Sequence, residues 1–275
     1  MARALIALDL DGTLLKHGVF LPDAPRFLER LRAAGHLLAV NTGRLPAGFA
    51  LEAARRIRPD GLHAFSDGAL IADARGRIRS RTTLDRSVVR RLLAAARDHD
   101  LTAEFHTALG VRYHLATRPP EDRHEHVAAT GTPSFAIDPE AVPGLPLVGA
   151  WLLRVPAGRL DRLRAELGAG ARVEAYGPRE GYWILGVKPA AGHKGTGLLE
   201  LARGYGVAPE ATVMLGDGLN DLGGLEAAGL GIAVGNAPDF VQRAADRVVA
   251  PADEGGLLEA AELILQTYGR ARARP

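Results

Sequence analysis

"LIALDLDGTLL", residues 5–15, decides how the rest of the chain is read. Leu5–Leu8 is an uninterrupted apolar run, the pattern of a strand buried on both faces in a parallel sheet. At its end stand two acids, Asp9 and Asp11, followed by Gly12. Asp-Gly favours a turn, and one acid would suffice to cap it. In extended backbone, residues i and i+2 face the same way, so Asp9 and Asp11 can project together past the strand end.

Working outward, residues 23–34 ("DAPRFLERLRAA") predict a helix capped by Asp23, with Phe27, Leu28 and Leu31 on one stripe. "LLAVNT" (37–42) is a second buried strand, a helix follows over about 46–57, and "GLHAFSDGA" (61–69) gives a third strand. This βαβαβ order predicts a parallel sheet with helices on both faces. From residue 69 the rhythm breaks into a hairpin turning at Arg75-Gly76, a helix at 85–98, and strands and helices without βαβ alternation. It resumes at Gly192 with a helix, the buried strand "TVMLGD" (212–217), a helix, the strand "LGIAVG" (230–235) and a last helix near 255–268. The expectation is an α/β protein: a Rossmann-like, doubly wound parallel-sheet core from residues 1–83 plus 190–275, and an inserted α+β module at 84–189.

The 275 residues carry a formal net charge of only +2, which gives no ground for a nucleic-acid partner. There is no cysteine, so disulfides, thiolate nucleophiles and zinc-thiolate sites are excluded. No apolar run approaches membrane-spanning length and no leader precedes the first strand, so a cytoplasmic protein without a membrane partner is expected. The "RARARP" tail (270–275) reads as a solvated terminus, and His124 and His126 as solvated surface. Trp151, Tyr182 and Trp183 read as core of the inserted module. Nothing in the sequence speaks to oligomeric state.

In open parallel sheets, ligands bind beyond the carboxyl ends of the strands. The predicted strands end at Asp9, Thr42, Ser66-Asp67 and Asp217. Two adjacent carboxylates repel each other, and a hard divalent cation such as Mg²⁺ would relieve the repulsion while keeping room for water and phosphate. Thr42 offers a hydroxyl donor, and Lys194, one of only three lysines, a point charge for phosphate oxygens. A carboxylate nucleophile, a metal, a hydroxyl and a lysine together suit phosphoryl transfer.

With these pieces in place the chain resembles the haloacid dehalogenase superfamily of phosphatases. The resemblance rests on "DLDGT" (9–13), "VNTGR" (40–44), "KG" (194–195) and "GDGLND" (216–221). The long insert, with "VGNAPDFVQRAADRVV" and "DEGGLLEAAELI" near the end, resembles the Cof-like branch, whose type IIB cap closes over the leaving group. The resemblance implies that Asp9 attacks phosphorus and that Asp11 serves as acid and then base. It also implies that Thr42 and Lys194 hold the phosphoryl oxygens. Mg²⁺ would be bound by Asp9, the backbone carbonyl of Asp11, and Asp217, with Asn220 and Asp221 completing or orienting the shell. Gly43 and Arg44 are candidate substrate contacts, with a surface salt bridge as the other reading of Arg44. The branch commonly has Asn-Gly where this chain has Asp67-Gly68, and Asp67 is left outside the catalytic set. The implied activity is Mg²⁺-dependent hydrolysis of a phosphorylated small metabolite. Sugar phosphates come first, then phosphorylated cofactors such as pyridoxal phosphate or flavin mononucleotide. The alternatives are a phosphotransferase using the same aspartyl phosphate and a non-catalytic phosphometabolite-binding protein.

Overall fold

The computed structural model describes residues 3–115 and 133–269. His124, His126 and the 270–275 tail therefore lie outside the described residues. The chain divides into two compact units, Met1–Ser80 with His193–Pro275, and Arg81–Gly192.

In the first unit, Leu5–Leu8 forms β1, buried at every position. A short hairpin, β2 (Leu15–Lys16) with β3 (Val19–Phe20), follows the acids. Helix α1 (Ala24–Ala33) buries the predicted Phe27, Leu28 and Leu31. The expected side-chain cap is absent: the Asp23 carbonyl accepts from the Phe27 N–H (2.9 Å), and Pro25 in the first turn supplies a preset φ. β4 (Leu37–Val40), α2 (Gly48–Ile57) and β5 (Leu62–Phe65) come next.

β5 does not extend the parallel sheet as a full strand. An isolated bridge, Asn41 to Ala64, ties it to the end of β4, while its ladder is antiparallel to β6 (Leu70–Asp73), with β7 (Ile78–Arg81) on the far side. Ser66, Asp67 and Gly68 all have positive φ (50°, 53° and 83°), so the chain reverses at once and β5 takes its own continuation as partner.

The second unit runs α3 (Arg86–Asp98), β8 (Thr102–Thr107), β9 (Arg112–Leu115), β10 (Ser134–Ile137), β11 (Leu147–Pro156), α4 (Leu160–Leu167), β12 (Ala171–Arg179) and β13 (Tyr182–Pro189). Its strands form one sheet in the order β10-β9-β8-β11-β13-β12. Strand alternation gives that sheet two unlike faces. Phe105, Ala150, Leu152, Leu185 and Val187 pack with Val88, Val89 and Leu92 of α3 and Leu163 and Leu167 of α4. The opposite parity carries Glu104, Arg112, Trp151, Glu174 and Lys188. Trp183 packs on the apolar face as expected. Trp151 does not: it pairs with Glu104 and Gly186, and its ring lies 5.2 Å from Lys188 Nζ. Tyr182 is also outside the core, exposed beneath the Arg154 guanidinium at 4.8 Å.

The first unit then resumes with α5 (Lys194–Tyr205), β14 (Thr212–Gly216), α6 (Leu222–Ala227), β15 (Leu230–Val234), α7 (Asp239–Gln242), β16 (Arg247–Val249) and α8 (Leu257–Tyr268). Five parallel strands stand in the order β16-β15-β14-β1-β4. On one face, Leu198, Leu201 and Ala202 of α5 pack on Leu5, Ala7, Ala39 and Met214. On the chain's other helical layer, α1 packs against α8. β1 is thus flanked by strands from distant parts of the chain. The strand order reverses there, which in such sheets is where a crevice forms. Among the described residues no helix is long and apolar enough to cross a membrane.

Candidate active site

Register brings three strand ends together. Leu8 of β1 pairs with Val40 of β4 and with Leu215 of β14. The pattern continues one residue further, since Asp9 N–H donates to the Leu215 carbonyl (3.0 Å) and Asn41 N–H to the Leu8 carbonyl (2.8 Å). Asp9, Asn41-Thr42 and Gly216-Asp217 therefore emerge side by side.

Helix α5 delivers the fourth component. His193 caps it, its Nδ1 accepting from the Thr196 N–H, while Thr196 Oγ1 accepts from the His193 N–H (3.2 Å). The buried Asn41 side chain donates Nδ2–H to the Lys194 carbonyl (2.9 Å) and so fixes the first turn against the sheet. The Lys194 side chain is fully buried and its ammonium donates to Asp9 Oδ1 (2.5 Å) and Asp221 Oδ1 (2.6 Å). Asp221 Oδ2 accepts the N–H groups of Asp217 (3.1 Å) and Gly218 (2.7 Å). Asp217 Oδ1 accepts from Thr13 Oγ1 (2.9 Å). Gly12 is required here: its φ is +83°, and a Cβ would fall inside the Asp217 carboxylate.

One carboxylate oxygen from each of Asp9, Asp217 and Asp221 lies within 4.8 Å of the others. Three carboxylates thus gather around one ammonium that touches two of them, Asp9 and Asp221, and the cluster carries excess negative charge. Burial, with Asp221 and Asp217 beside it, holds Asp9 well above the ordinary carboxylate range, against the pull of Lys194. Burial also pushes Asp217 up to about 6, opposed by the Thr13 hydrogen bond and assisted by Asp221. Burial disfavours the Lys194 charge, but Asp221, Asp9 and Asp67 outweigh it and hold the ammonium above the ordinary lysine range. Raised carboxylates in an all-oxygen cluster are what a hard divalent cation would correct, so the residues present fit Mg²⁺. Both oxygens of Asp221 are engaged with Lys194 and backbone N–H groups, which suits it to orienting the others.

The remaining sequence candidates fall around this cluster. Thr42 is buried, and its Oγ1 accepts from the Arg44 N–H (3.3 Å). The Asp11 carboxylate stands apart from the three-acid group and is gripped at both oxygens by Arg44, Nε to Oδ2 at 2.6 Å and a terminal nitrogen to Oδ1 at 2.7 Å. Asn220 donates to Asp67 Oδ1 (2.7 Å). Gly43 lies beside that pair, where a Cβ would come 3.0 Å from Asp67 Oδ1. Asp67 is therefore part of the site's scaffold, buried and holding Asn220. Asn41 is the residue the sequence reading missed. Its signal was present: an amide inside the "VNTGR" stretch, at the end of a run otherwise wholly apolar.

The family model for haloacid dehalogenase-like hydrolases matches residues 6–260. Over 270 residues the chain is 29% identical to the 5-amino-6-(5-phospho-D-ribitylamino)uracil phosphatase YitU of Bacillus subtilis, covering 92% of this chain and 94% of that one. Over 101 residues it is 39% identical to the phosphoglycolate phosphatase of Methanopyrus kandleri, where the match spans 37% of this chain and 42% of that protein. Among solved structures, the phosphatase BT1666 of Bacteroides thetaiotaomicron shares the fold at a TM-score of 0.79 and 23% identity, covering 96% and 95% of the two chains. The subclass IIB sugar phosphatase BT4131 shares it at a TM-score of 0.77 and 19% identity, covering 97% and 99%.

Proposed function

The chain belongs to the haloacid dehalogenase-like hydrolases, and from that premise we propose that it is a Mg²⁺-dependent hydrolase of small-metabolite phosphomonoesters. Its preferred substrates are phosphate esters of sugar-like alcohols. The observation that carries this reading is the Asp9 carboxylate. It is buried at the carboxyl end of β1, fixed through one oxygen by Lys194, and joined by Asp217 and Asp221 in an oxygen cluster.

In this reading the free oxygen of Asp9 attacks phosphorus, forming an aspartyl phosphate as the ester P–O bond breaks and its electrons leave with the alcohol oxygen. Asp11 gives that oxygen its proton. Lys194 and Thr42 hold the phosphoryl oxygens, and Asn41 keeps Lys194 in place through its carbonyl. Water then attacks the phosphorus, Asp11 takes the water proton, and Asp9 departs as carboxylate. Mg²⁺, held by Asp9, Asp217 and the Asp11 backbone carbonyl with Asn220 and Asp221 behind them, would neutralise charge on the phosphoryl oxygens. The sugar-like preference is supported by the named substrates of the relatives: a phosphoribityl compound for YitU and sugar phosphates for BT4131.

The test is phosphate release from p-nitrophenyl phosphate and a panel of sugar and polyol phosphates, with Mg²⁺ and with EDTA. Turnover that requires Mg²⁺ and favours the alcohol phosphates supports the reading. Turnover insensitive to EDTA refutes the metal, and ligand binding without any turnover refutes the enzyme.

A further inference from the structure

Arg44 sits in the stretch expected to touch substrate, yet its guanidinium is committed elsewhere. Nε meets Asp11 Oδ2 at 2.6 Å and a terminal nitrogen meets Asp11 Oδ1 at 2.7 Å, the two parallel bonds of a fork on a carboxylate. Most exposed ion pairs hold little, because both side chains are free to wander. This one differs on the arginine side. The Arg44 side chain is only 17% exposed, against 49% for Asp11. Its backbone is also tied at both ends, N–H to Thr42 Oγ1 (3.3 Å) and carbonyl to the Ser66 N–H (2.9 Å). A fixed fork thus reaches out and sets the plane of a carboxylate that is otherwise half in solvent.

We infer that Arg44 is a positioning residue for Asp11, holding both carboxylate oxygens in the one orientation from which Asp11 accepts the proton of the water that hydrolyses the aspartyl phosphate. This rests on the phosphatase reading above. A carboxylate offers about four lone-pair sites, and a bidentate arginine uses two of them, so each oxygen keeps one for water. The step balances without another reactant. The water oxygen bonds to phosphorus as the bond from phosphorus to the Asp9 oxygen breaks. The broken bond's electron pair returns to Asp9 as carboxylate, one water proton passes to Asp11, and the other stays on the phosphate. A lysine could supply the charge but not the two-point geometry.

The experiment uses 2,4-dinitrophenyl phosphate, whose phenolate leaves without needing a proton. For this substrate kcat/KM reports binding and transfer to Asp9, and kcat reports breakdown of the phosphoenzyme. Arg44→Ala and Arg44→Lys are compared with wild type in the Mg²⁺-loaded full chain by rapid mixing. Both variants are expected to keep kcat/KM within about twofold and to lose about tenfold to a hundredfold in kcat, the scale on which loss of orientation lowers acid–base catalysis. A stoichiometric burst of dinitrophenolate should precede the slowed steady state. A matched fall in kcat/KM would make Arg44 a substrate contact, and unchanged kcat in both variants would make the fork merely structural. Either outcome overturns the inference while leaving the phosphatase reading intact. Absence of any wild-type turnover overturns both.

Discussion

Removing the Lys194 charge should be the most damaging single change to the stability of the first unit. In Lys194→Met the apolar length of the side chain is kept, but Asp9 and Asp221 lose the buried ammonium that each contacts at 2.5–2.6 Å. Breaking a buried ion pair by deleting one partner costs about 3–5 kcal/mol, because the remaining charge is left without compensation. Here two carboxylates are left, with Asp217 as a third neighbour. They can escape by taking up protons, which fixes the sign of the pH dependence. The folded-state pKa of Asp9 already stands above its unfolded value, and losing Lys194 raises it further. The native variant then binds more protons than the unfolded chain, so its stability must fall as pH rises. The deficit is therefore smallest near pH 5 and largest near pH 8. The assay is urea denaturation in EDTA followed by far-UV circular dichroism, since both tryptophans, Trp151 and Trp183, lie in the other unit. The double variant with Asp9→Asn removes one of the stranded charges and should recover about 1–3 kcal/mol relative to additivity. A loss under about 0.5 kcal/mol, or strict additivity in the double variant, would refute the electrostatic reasoning.

Gly12→Ala meets a strained φ of +83° and the Asp217 carboxylate at once, so Asp217 must move; an apparent Mg²⁺ requirement raised by about tenfold or more, read from the metal dependence of turnover, checks this. Asn41→Leu removes the side-chain donor that ties the Lys194 carbonyl to the sheet, while that carbonyl keeps its helical partner, and should cost about 0.5–1.5 kcal/mol by thermal or urea unfolding. His63 supplies a second pH effect of opposite sign. Its Nδ1 accepts from the Val40 N–H (3.0 Å), its Nε2 lies 3.0 Å from the Arg58 carbonyl, and burial first of all pushes its pKa down to about 4. A neutral ring satisfies both contacts and a protonated one cannot, so stability is complete above pH 6.5 and is lost as pH falls toward 4, by about 3 kcal/mol in full. His63→Leu should flatten that part of the stability profile, and an unchanged acid slope would contradict the assignment.

The two-acid strand end was the most legible part of this protein, because a capped turn needs only one acid and this strand end carries two. Thr42 and Asp217 could be read by the same logic, as polar residues at strand ends, whereas Lys194 stood out as one of only three lysines in the chain. What stayed hidden depends on side-chain direction. That Arg44 turns to Asp11, and that Asp67 turns inward to hold Asn220, follow from contacts between residues far apart in the chain, 33 and 153 positions respectively. Strand membership failed where local backbone overrode pattern: β5 reads like β1 and β4, but the positive φ angles at Ser66-Asp67-Gly68 fold its continuation back on it. Trp151 was misplaced because an aromatic in an apolar strand reads as core, while its parity in β11 puts it with Glu104 and Lys188.

The central claim is that Asp9 is the nucleophile. The direct test is phosphate release by Asp9→Asn beside wild type, at saturating Mg²⁺ and with equal folding verified by circular dichroism. Asparagine retains an oxygen for Lys194 but lacks the nucleophilic carboxylate, so the account predicts that turnover disappears into the uncatalysed background. An Asp9→Asn protein that releases phosphate at the wild-type rate would contradict it.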